Sequence, residues 1–306
     1  MKHEFKKTGR QDVDRLRRIL LDTCRRWGAD TPVEAIREDW EALFTERHQK
    51  ADSEDIDANG VPATWIWTEN ARPDSALLYL HGGGYMLGSV ASHWDLIAGL
   101  ARASHCRALG IDYRLAPEHP YPAALEDAQA AYRWLLSQGI APSNIVMLGD
   151  SAGGGLVLTT LLSLERAGLP MPAAAALLSP CIDLEATGES YDTQKQYDPL
   201  VSRSGIRGMA DVYLAGKVSP RDPAVAPLHA DLSALPPILI QVGEYEVLLD
   251  DARAFAETAR GQGIEVTLEL WDEMIHVFQL YANELEEGQR AIERIGEFVR
   301  HHLDGE

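Results

Sequence analysis

The sequence predicts an α/β protein: a mostly parallel central sheet with helices on both faces. Three observations predict it. Short apolar runs recur at residues 76–80, 106–112, 144–148, 173–178 and 237–243, as strands buried on both faces require. Longer segments with apolar residues three and four apart separate them, the alternation that builds a parallel sheet. The third observation is local. The apolar run Ile145, Val146, Met147, Leu148 enters Gly149-Asp150-Ser151-Ala152-Gly153, and a Leu-rich helical segment follows at once. Strand, sharp turn and helix therefore succeed one another with a serine at the apex.

Taken in order, residues 1–50 carry two amphipathic helices. Val13, Leu16, Ile19 and Leu20 recur at helical spacing, as do Val33, Ile36, Trp40 and Leu43. Thr31-Pro32 reads as an N-cap followed by proline at the first helical position. The polar stretch 51–60 reads as a link, 61–68 as a strand and 70–75 as a turn before the strand at 76–80. A helix at 93–105 and a strand at 106–112 follow. Residues 113–122 are too rich in proline for regular structure. Helices are expected at 123–137 and 152–167, strands at 144–148 and 173–178. From 183 to 227 the strand pattern lapses, with one helical segment near 204–214. A strand at 237–243, a helix at 248–262, a strand at 265–271 and a helix at 283–303 complete the chain. The 306 residues are read as one domain. Residues 51–184 and 216–306 form its core, and 1–50 and about 185–215 a lid.

Composition bounds the class of function. Charged residues at 25% and hydrophobic ones at 45% describe an ordinary soluble globular chain. No apolar run approaches the roughly 18 to 20 residues that span a bilayer. The basic start at residues 1–7 has no apolar core after it, so no secretion leader is expected. Cys24, Cys106 and Cys181 are odd in number and widely spaced, which points to reduced thiols in a cytoplasm. A net charge of −19 argues against nucleic acid or a stable association with an anionic membrane.

The chemistry lies in three places. The Gly-x-Ser-x-Gly turn lifts the Ser151 hydroxyl clear of the backbone and aims the Ala152 amide at the place where a negative oxygen would form. His81-Gly82-Gly83-Gly84 directly follows a central strand. Its glycines let backbone amides approach a ligand, as an oxyanion site needs. The missing Lys-Ser or Lys-Thr argues against a phosphate cradle. Of ten histidines, His3, His48, His301 and His302 lie at exposed ends or in polar helices. His93, His105, His119 and His229 lie on the N-terminal side of the expected order. His276 follows the last strand, where a base at the edge of the sheet that carries Ser151 belongs. Four carboxylates follow the strand before it: Glu244, Glu246, Asp250 and Asp251. Asp250 and Asp251 are expected in a helix, facing solvent or its dipole. Glu246 in the turn suits an acid that holds the imidazole, and Asp250 is the alternative.

With these motifs the chain resembles the hormone-sensitive-lipase-like (bacterial family IV) carboxylesterases of the α/β-hydrolase superfamily. The carriers are His81–Gly84, Asp112-Tyr113-Arg114-Leu115-Ala116-Pro117-Glu118-His119-Pro120-Tyr121-Pro122-Ala123, Gly149–Gly154, Ser179-Pro180 with Asp183-Leu184, and Met274-Ile275-His276-Val277-Phe278. Val242-Gly243 and Glu246 to Asp251 are similar to short-acyl acetyl hydrolases and monoterpene lactone hydrolases. The resemblance implies an α/β-hydrolase fold and the triad Ser151, Glu246 and His276. It also implies an oxyanion hole from the Gly83, Gly84 and Ala152 amides. Many members carry aspartate where this chain has Glu246, so the turn or the histidine loop is expected to sit slightly back. Arg114 and Glu118 are read as a buried network bracing the glycine loop, aided by His119 and Asp150.

The expected activity is cleavage of a small ester of short to medium acyl chain through an acyl-enzyme. Lactone hydrolysis, deacetylation or acyl transfer would use the same groups, and a non-catalytic hydrolase-fold receptor is the rival of a different class. Trp40, Phe44, Tyr85, Met86, Met209 and Tyr213 are candidates for apolar pocket walls. No metal or organic cofactor is implied, because the histidines lack ligand spacing. The resemblance also implies that a homodimer through the last strand and C-terminal helix is compatible with the chain.

Overall fold

The computed structural model describes residues 10–28, 30–44 and 46–304. His3 and the basic start of the chain lie outside the described residues. In chain order come α1 (Arg10–Cys24), α2 (Val33–Glu41), β1 (Asp52–Asp57), β2 (Pro62–Trp67), β3 (Arg72–Leu80), α3 (Trp94–Ser104) and β4 (Cys106–Ile111). Then follow α4 (Ala123–Ser137), β5 (Ile145–Asp150), α5 (Ala152–Arg166), β6 (Ala174–Leu178), α6 (Ser190–Thr193) and α7 (Arg203–Leu214). The chain closes with β7 (Ile238–Gly243), α8 (Leu249–Gly261), β8 (Val266–Trp271) and α9 (Glu286–Asp304).

The eight strands form one sheet in the order β1-β2-β4-β3-β5-β6-β7-β8. β1 and β2 pair antiparallel, as do β2 and β4, and the remaining pairs are parallel. The apolar runs sort by residue parity. Ala76, Leu78 and Leu80 of β3 and Ile145 and Met147 of β5 face the layer built with α4, α5 and α8. Leu77, Tyr79, Val146 and Leu148 face the layer built with α3 and α9. Both faces are dry, which is why these strands read as unbroken apolar runs.

α1 does not simply extend from the core. Val13, Leu16 and Leu20 bury against Met274, Ile275, Phe278 and Tyr281, the segment that carries His276. At about 1.5–3 kcal/mol for each fully buried aliphatic side chain, that contact outweighs the two hydrogen bonds from Arg17 to the carbonyls of Tyr197 and Gln196, worth about 1 kcal/mol each. Apolar packing holds α1 against the histidine loop.

Several expectations are corrected. Residues 51–60 hold β1, an edge strand whose residues are all exposed except the half-buried Ile56. With Asp52, Glu54, Asp55 and Asp57 outward it has no apolar alternation to betray it, and its charges protect the sheet edge. Residues 70–75 are not wholly a turn, since β3 begins at Arg72 with a register irregularity before Ala76. Thr31 is not the helix cap; the cap position is Pro32, and the Thr31 hydroxyl accepts the Gly28 N–H. Arg114 and Glu118 are not buried. Arg114 pairs with Asp127 and Glu126 on α4, and Glu118 forms a two-pronged pair with Arg37 of α2 that holds its carboxyl down to about 2. His119 is exposed and braces nothing under the glycines.

Candidate active site

β5 delivers the chain to Ser151 at the carboxyl edge of the sheet, and α5 leaves from the next residue. Ser151 has φ 51° and ψ −121°, a strained setting for a residue with a side chain, costing about 1–3 kcal/mol. Its N–H donates to the Leu178 carbonyl at 2.8 Å, and its own carbonyl accepts from Cys181 N–H at 2.9 Å. β6 and its following loop thus hold the turn. Gly149 and Gly153 are required by closeness: a Cβ on Gly149 would run into the Gly153 carbonyl, and one on Gly153 into those of Leu80 and His81. Glycine in a helix costs about 1 kcal/mol, and here that cost lets the first turn of α5 lie directly against the end of β3.

The loops after β7 and β8 bring the partners. His276 Nε2 lies 2.9 Å from Ser151 Oγ, and its Nδ1 lies 3.0 Å from Glu246 Oε2. A carboxylate can only accept, so Nδ1 carries the hydrogen and Nε2 is free to accept from the serine. Glu246 is fully buried. Its Oε1 accepts from Gly243 N–H at 2.6 Å and from the Ser179 hydroxyl at 2.7 Å. Ser179 Oγ also accepts from Val277 N–H at 3.0 Å, so one hydroxyl ties the acid turn to the histidine loop. A further carboxylate, Asp198, accepts from Val247 N–H at 3.0 Å and from Leu200 and Val201 N–H. Burial lowers the basicity of His276, but the hydrogen bond and charge of Glu246, with Asp198 and Asp150 behind, win and hold it above the ordinary imidazole value. As pH falls through that raised value, Nε2 gains a proton and can no longer act as a base.

The competing acids stand elsewhere. Asp250 accepts from Ser190 N–H at 2.8 Å and pairs with Arg253, rather than with the imidazole. Asp251 does not face solvent as expected. It is 2% exposed and accepts from Ile182 and Asp183 N–H, with burial pushing its carboxyl up to about 7.

Asp150, at the end of β5, takes the Gly82 N–H at 2.9 Å and the Tyr79 hydroxyl at 2.6 Å on one oxygen. The Gly82 amide is therefore occupied. Gly83 and Gly84 follow at φ 111° and 62° and line the same cavity as Ser151, Ala152 and His276. That cavity has a volume of about 600 Å³, within the range of small-molecule sites. Met86 and Met209 are on its wall, with Trp27, Trp40, Leu200 and Val212. Tyr85 and Tyr213 are not. They stack face to face at 3.7 Å and 6°, both buried, because two flat apolar rings gain more from each other than from an open wall. Phe44 lines a separate cavity beside α1 and Trp94.

The sequence alone assigns no role to Ser179 or Asp198. Ser179-Pro180 was visible as a motif, but its hydrogen bonds reach residues 67 and 98 positions away. Nothing local reports them.

A doubly covered, mostly parallel sheet with a serine on a strained strand-to-helix turn defines an α/β hydrolase. Residues 77–280 match the family described as the alpha/beta hydrolase fold, and the chain belongs to it. More particularly, the chain superimposes with a TM-score of 0.92 on a solved esterase of the bacterial hormone-sensitive lipase family, at 46% identity over 98% of this chain and 100% of that one. It is 50% identical over 235 residues to an acetyl-hydrolase of Streptomyces hygroscopicus, covering 76% of this chain and 78% of that protein. It is 30% identical over 294 residues to the carboxylesterase NlhH of Mycobacterium tuberculosis, covering 89% and 91%.

Proposed function

We infer that this protein is a carboxylic ester hydrolase that works through an acyl-enzyme on Ser151. The observation that carries the reading is the chain of hydrogen bonds Ser151–His276–Glu246 at the base of an apolar cavity. His276 Nε2 takes the hydroxyl proton as Ser151 Oγ bonds to the ester carbonyl carbon. Glu246 stabilises the imidazolium. The carbonyl oxygen becomes an oxyanion that accepts from the Gly83, Gly84 and Ala152 amides, about 3 kcal/mol for each donor. The carbon–oxygen bond to the alcohol then breaks, and the alcohol leaves with the proton from His276. Water, deprotonated by His276, attacks the acyl-serine carbonyl; the bond to Ser151 Oγ breaks, His276 returns the proton to that oxygen, and the acid is released. Ester-hydrolase relatives such as the acetyl-hydrolase and NlhH support the same activity.

Trp27, Ile36 and Trp40 from the N-terminal segment and Leu200, Ile206 and Met209 from the segment around α7 wall the cavity. These two segments form a lid over a core of 51–184 and 216–306. Arg37 ties that lid to the glycine loop by donating to the Met86 and Ala116 carbonyls. The apolar wall favours an uncharged substrate of short to medium acyl chain. β8 lies at the sheet edge with Leu270 46% exposed, a surface that suits a homodimer. Among the described residues no helix is long and apolar enough to cross a membrane. The three free cysteines fit a reducing cytoplasm.

A series of p-nitrophenyl esters beside simple lactones tests the substrate class. Acetate to octanoate should exceed palmitate in kcat/KM by at least about tenfold. Failure to cleave any ester would sink the reading. Faster turnover of lactones than of open esters would move the substrate to that class.

A further inference from the structure

Directly beneath the nucleophile turn lies a second ionisable cluster that the reaction does not use as acid or base. His93, at the cap of α3, is fully buried. Its Nδ1 faces the Ser89 carbonyl at 3.0 Å, an atom that can only accept. Its Nε2 faces Asp150 Oδ2 at 3.4 Å, an ion-pair contact longer than a hydrogen bond. The Ser92 hydroxyl, 3.2 Å from Nδ1, itself donates to the Ser89 carbonyl, so Nδ1 carries a hydrogen; the Asp150 carboxylate opposite Nε2 favours a second, which makes the ring an imidazolium. The neighbouring His81 differs. Its Nδ1 faces the Gly82 carbonyl at 2.7 Å, its ring stacks on Tyr113 at 4.3 Å, and burial with the nearby His93 holds it down to about 3. Of the two, His93 carries the charge. Burial lowers its basicity, but the charge of Asp150 and the contacts to Asp150 and Ser89, with Glu41 beyond, raise it.

Besides the Ser89 carbonyl and the Ser92 hydroxyl at Nδ1, few groups face His93. Asp150 faces it from the end of β5, and the Tyr79 ring from β3 at 6.2 Å. His81 follows at 5.5 Å. Glu41, which accepts from Ser89 Oγ, and Asp112, which accepts from Val90 N–H, add negative charge. Asp150 is the pivot. It precedes Ser151 in the chain, and its other oxygen holds the Gly82 N–H that leads into Gly83 and Gly84. A buried carboxylate stays ionised only if a partner compensates it, and its burial penalty is here overcome mainly by His93.

We propose that His93 is a positioning residue for ester hydrolysis: as a buried imidazolium it keeps Asp150 ionised, and through Asp150 it fixes the Gly82 peptide and the direction of the Gly83 and Gly84 amides. This rests on the function proposed above. A charge-assisted hydrogen bond is about twice as strong as a neutral one, so losing the charge loosens the loop where the oxyanion forms. The oxyanion is absent from the bound ester and forms only in the transition states and the tetrahedral intermediate between them, so the effect falls on kcat and not on KM.

The test compares wild type, His93→Gln, Asp150→Asn and the double variant with p-nitrophenyl butyrate, alongside thermal melting. His93→Gln should lose about tenfold or more in kcat, with KM within about twofold. The double variant should be no slower than His93→Gln, since both act through one contact and their losses do not multiply. Wild-type kcat in His93→Gln, a loss confined to KM, or multiplying losses in the double variant would overturn the proposal. If His93→Gln does not fold, the double variant, which buries no unpaired charge, decides in its place: reduced kcat at unchanged KM upholds the role and wild-type kcat overturns it. A wild-type enzyme inactive on every ester would instead indict the proposed function.

Discussion

Replacing Ser151 by alanine is expected to lower kcat for a short p-nitrophenyl ester by about a millionfold. In the proposed mechanism the hydroxyl forms the acyl bond, and among the described residues His276 Nε2, 2.9 Å away, has no other nucleophile held at that distance. What survives is the small acceleration from the oxyanion amides and from binding, about 10³–10⁴ over water. The fold should survive the change. The half-buried Ser151 holds its turn through backbone bonds to Leu178 and Cys181, and alanine keeps both. A melting temperature within a few degrees of wild type, beside the lost turnover, separates chemistry from stability. Substantial residual activity in enzyme free of wild-type contamination would remove Ser151 from the nucleophile's place.

Glu246→Ala and Asp250→Ala should part company by several orders of magnitude. Removing Glu246 strips the partner from His276 Nδ1 and leaves Ser179 Oγ and Gly243 N–H without their acceptor in a buried site. The imidazole loses both its tautomer and the charge that stabilises it when protonated, a loss of about 10⁴ in kcat by comparison with other triads. Stability should fall as well, by about 1–3 kcal/mol for each buried polar group left unpaired. Asp250→Ala removes a contact to Ser190 N–H and a half-exposed pair with Arg253. It should cost about 1 kcal/mol of stability and leave kcat nearly unchanged. The opposite ranking, read from kcat and melting measured on the same preparations, would hand the acid's role to Asp250.

The fold was legible where physics is local. Strands buried on both faces read as apolar runs, as residues 76–80, 145–148, 174–178 and 238–240 do; the turn at Ser151 must have glycine on both sides, and it does. β1 was illegible because its stability comes from backbone pairing with β2, while every residue in it but Ile56 is exposed. The candidate site was legible in Ser151, His276 and the glycine loop, which sit next to strand ends. The acid was legible only as a choice of carboxylates, because what separates Glu246 from Asp250 is which loop each faces. Asp251 was misread for the same reason. Helical spacing placed it, but the amides of Ile182 and Asp183 that receive it come from a distant loop. The Tyr85–Tyr213 stack and the His93–Asp150 pair are likewise meetings of distant segments, invisible to any reading of spacing.

The central claim is that Ser151 is an activated nucleophile. Reaction of the intact protein with a fluorophosphonate, followed by peptide mass analysis, tests it most directly. The phosphonyl group should appear on the peptide that contains Ser151, in one-to-one amount, with loss of esterase activity in step. It should be absent from Ser151→Ala and slow to form in His276→Ala. A label on another residue, or no label in protein that still hydrolyses esters, would contradict the account.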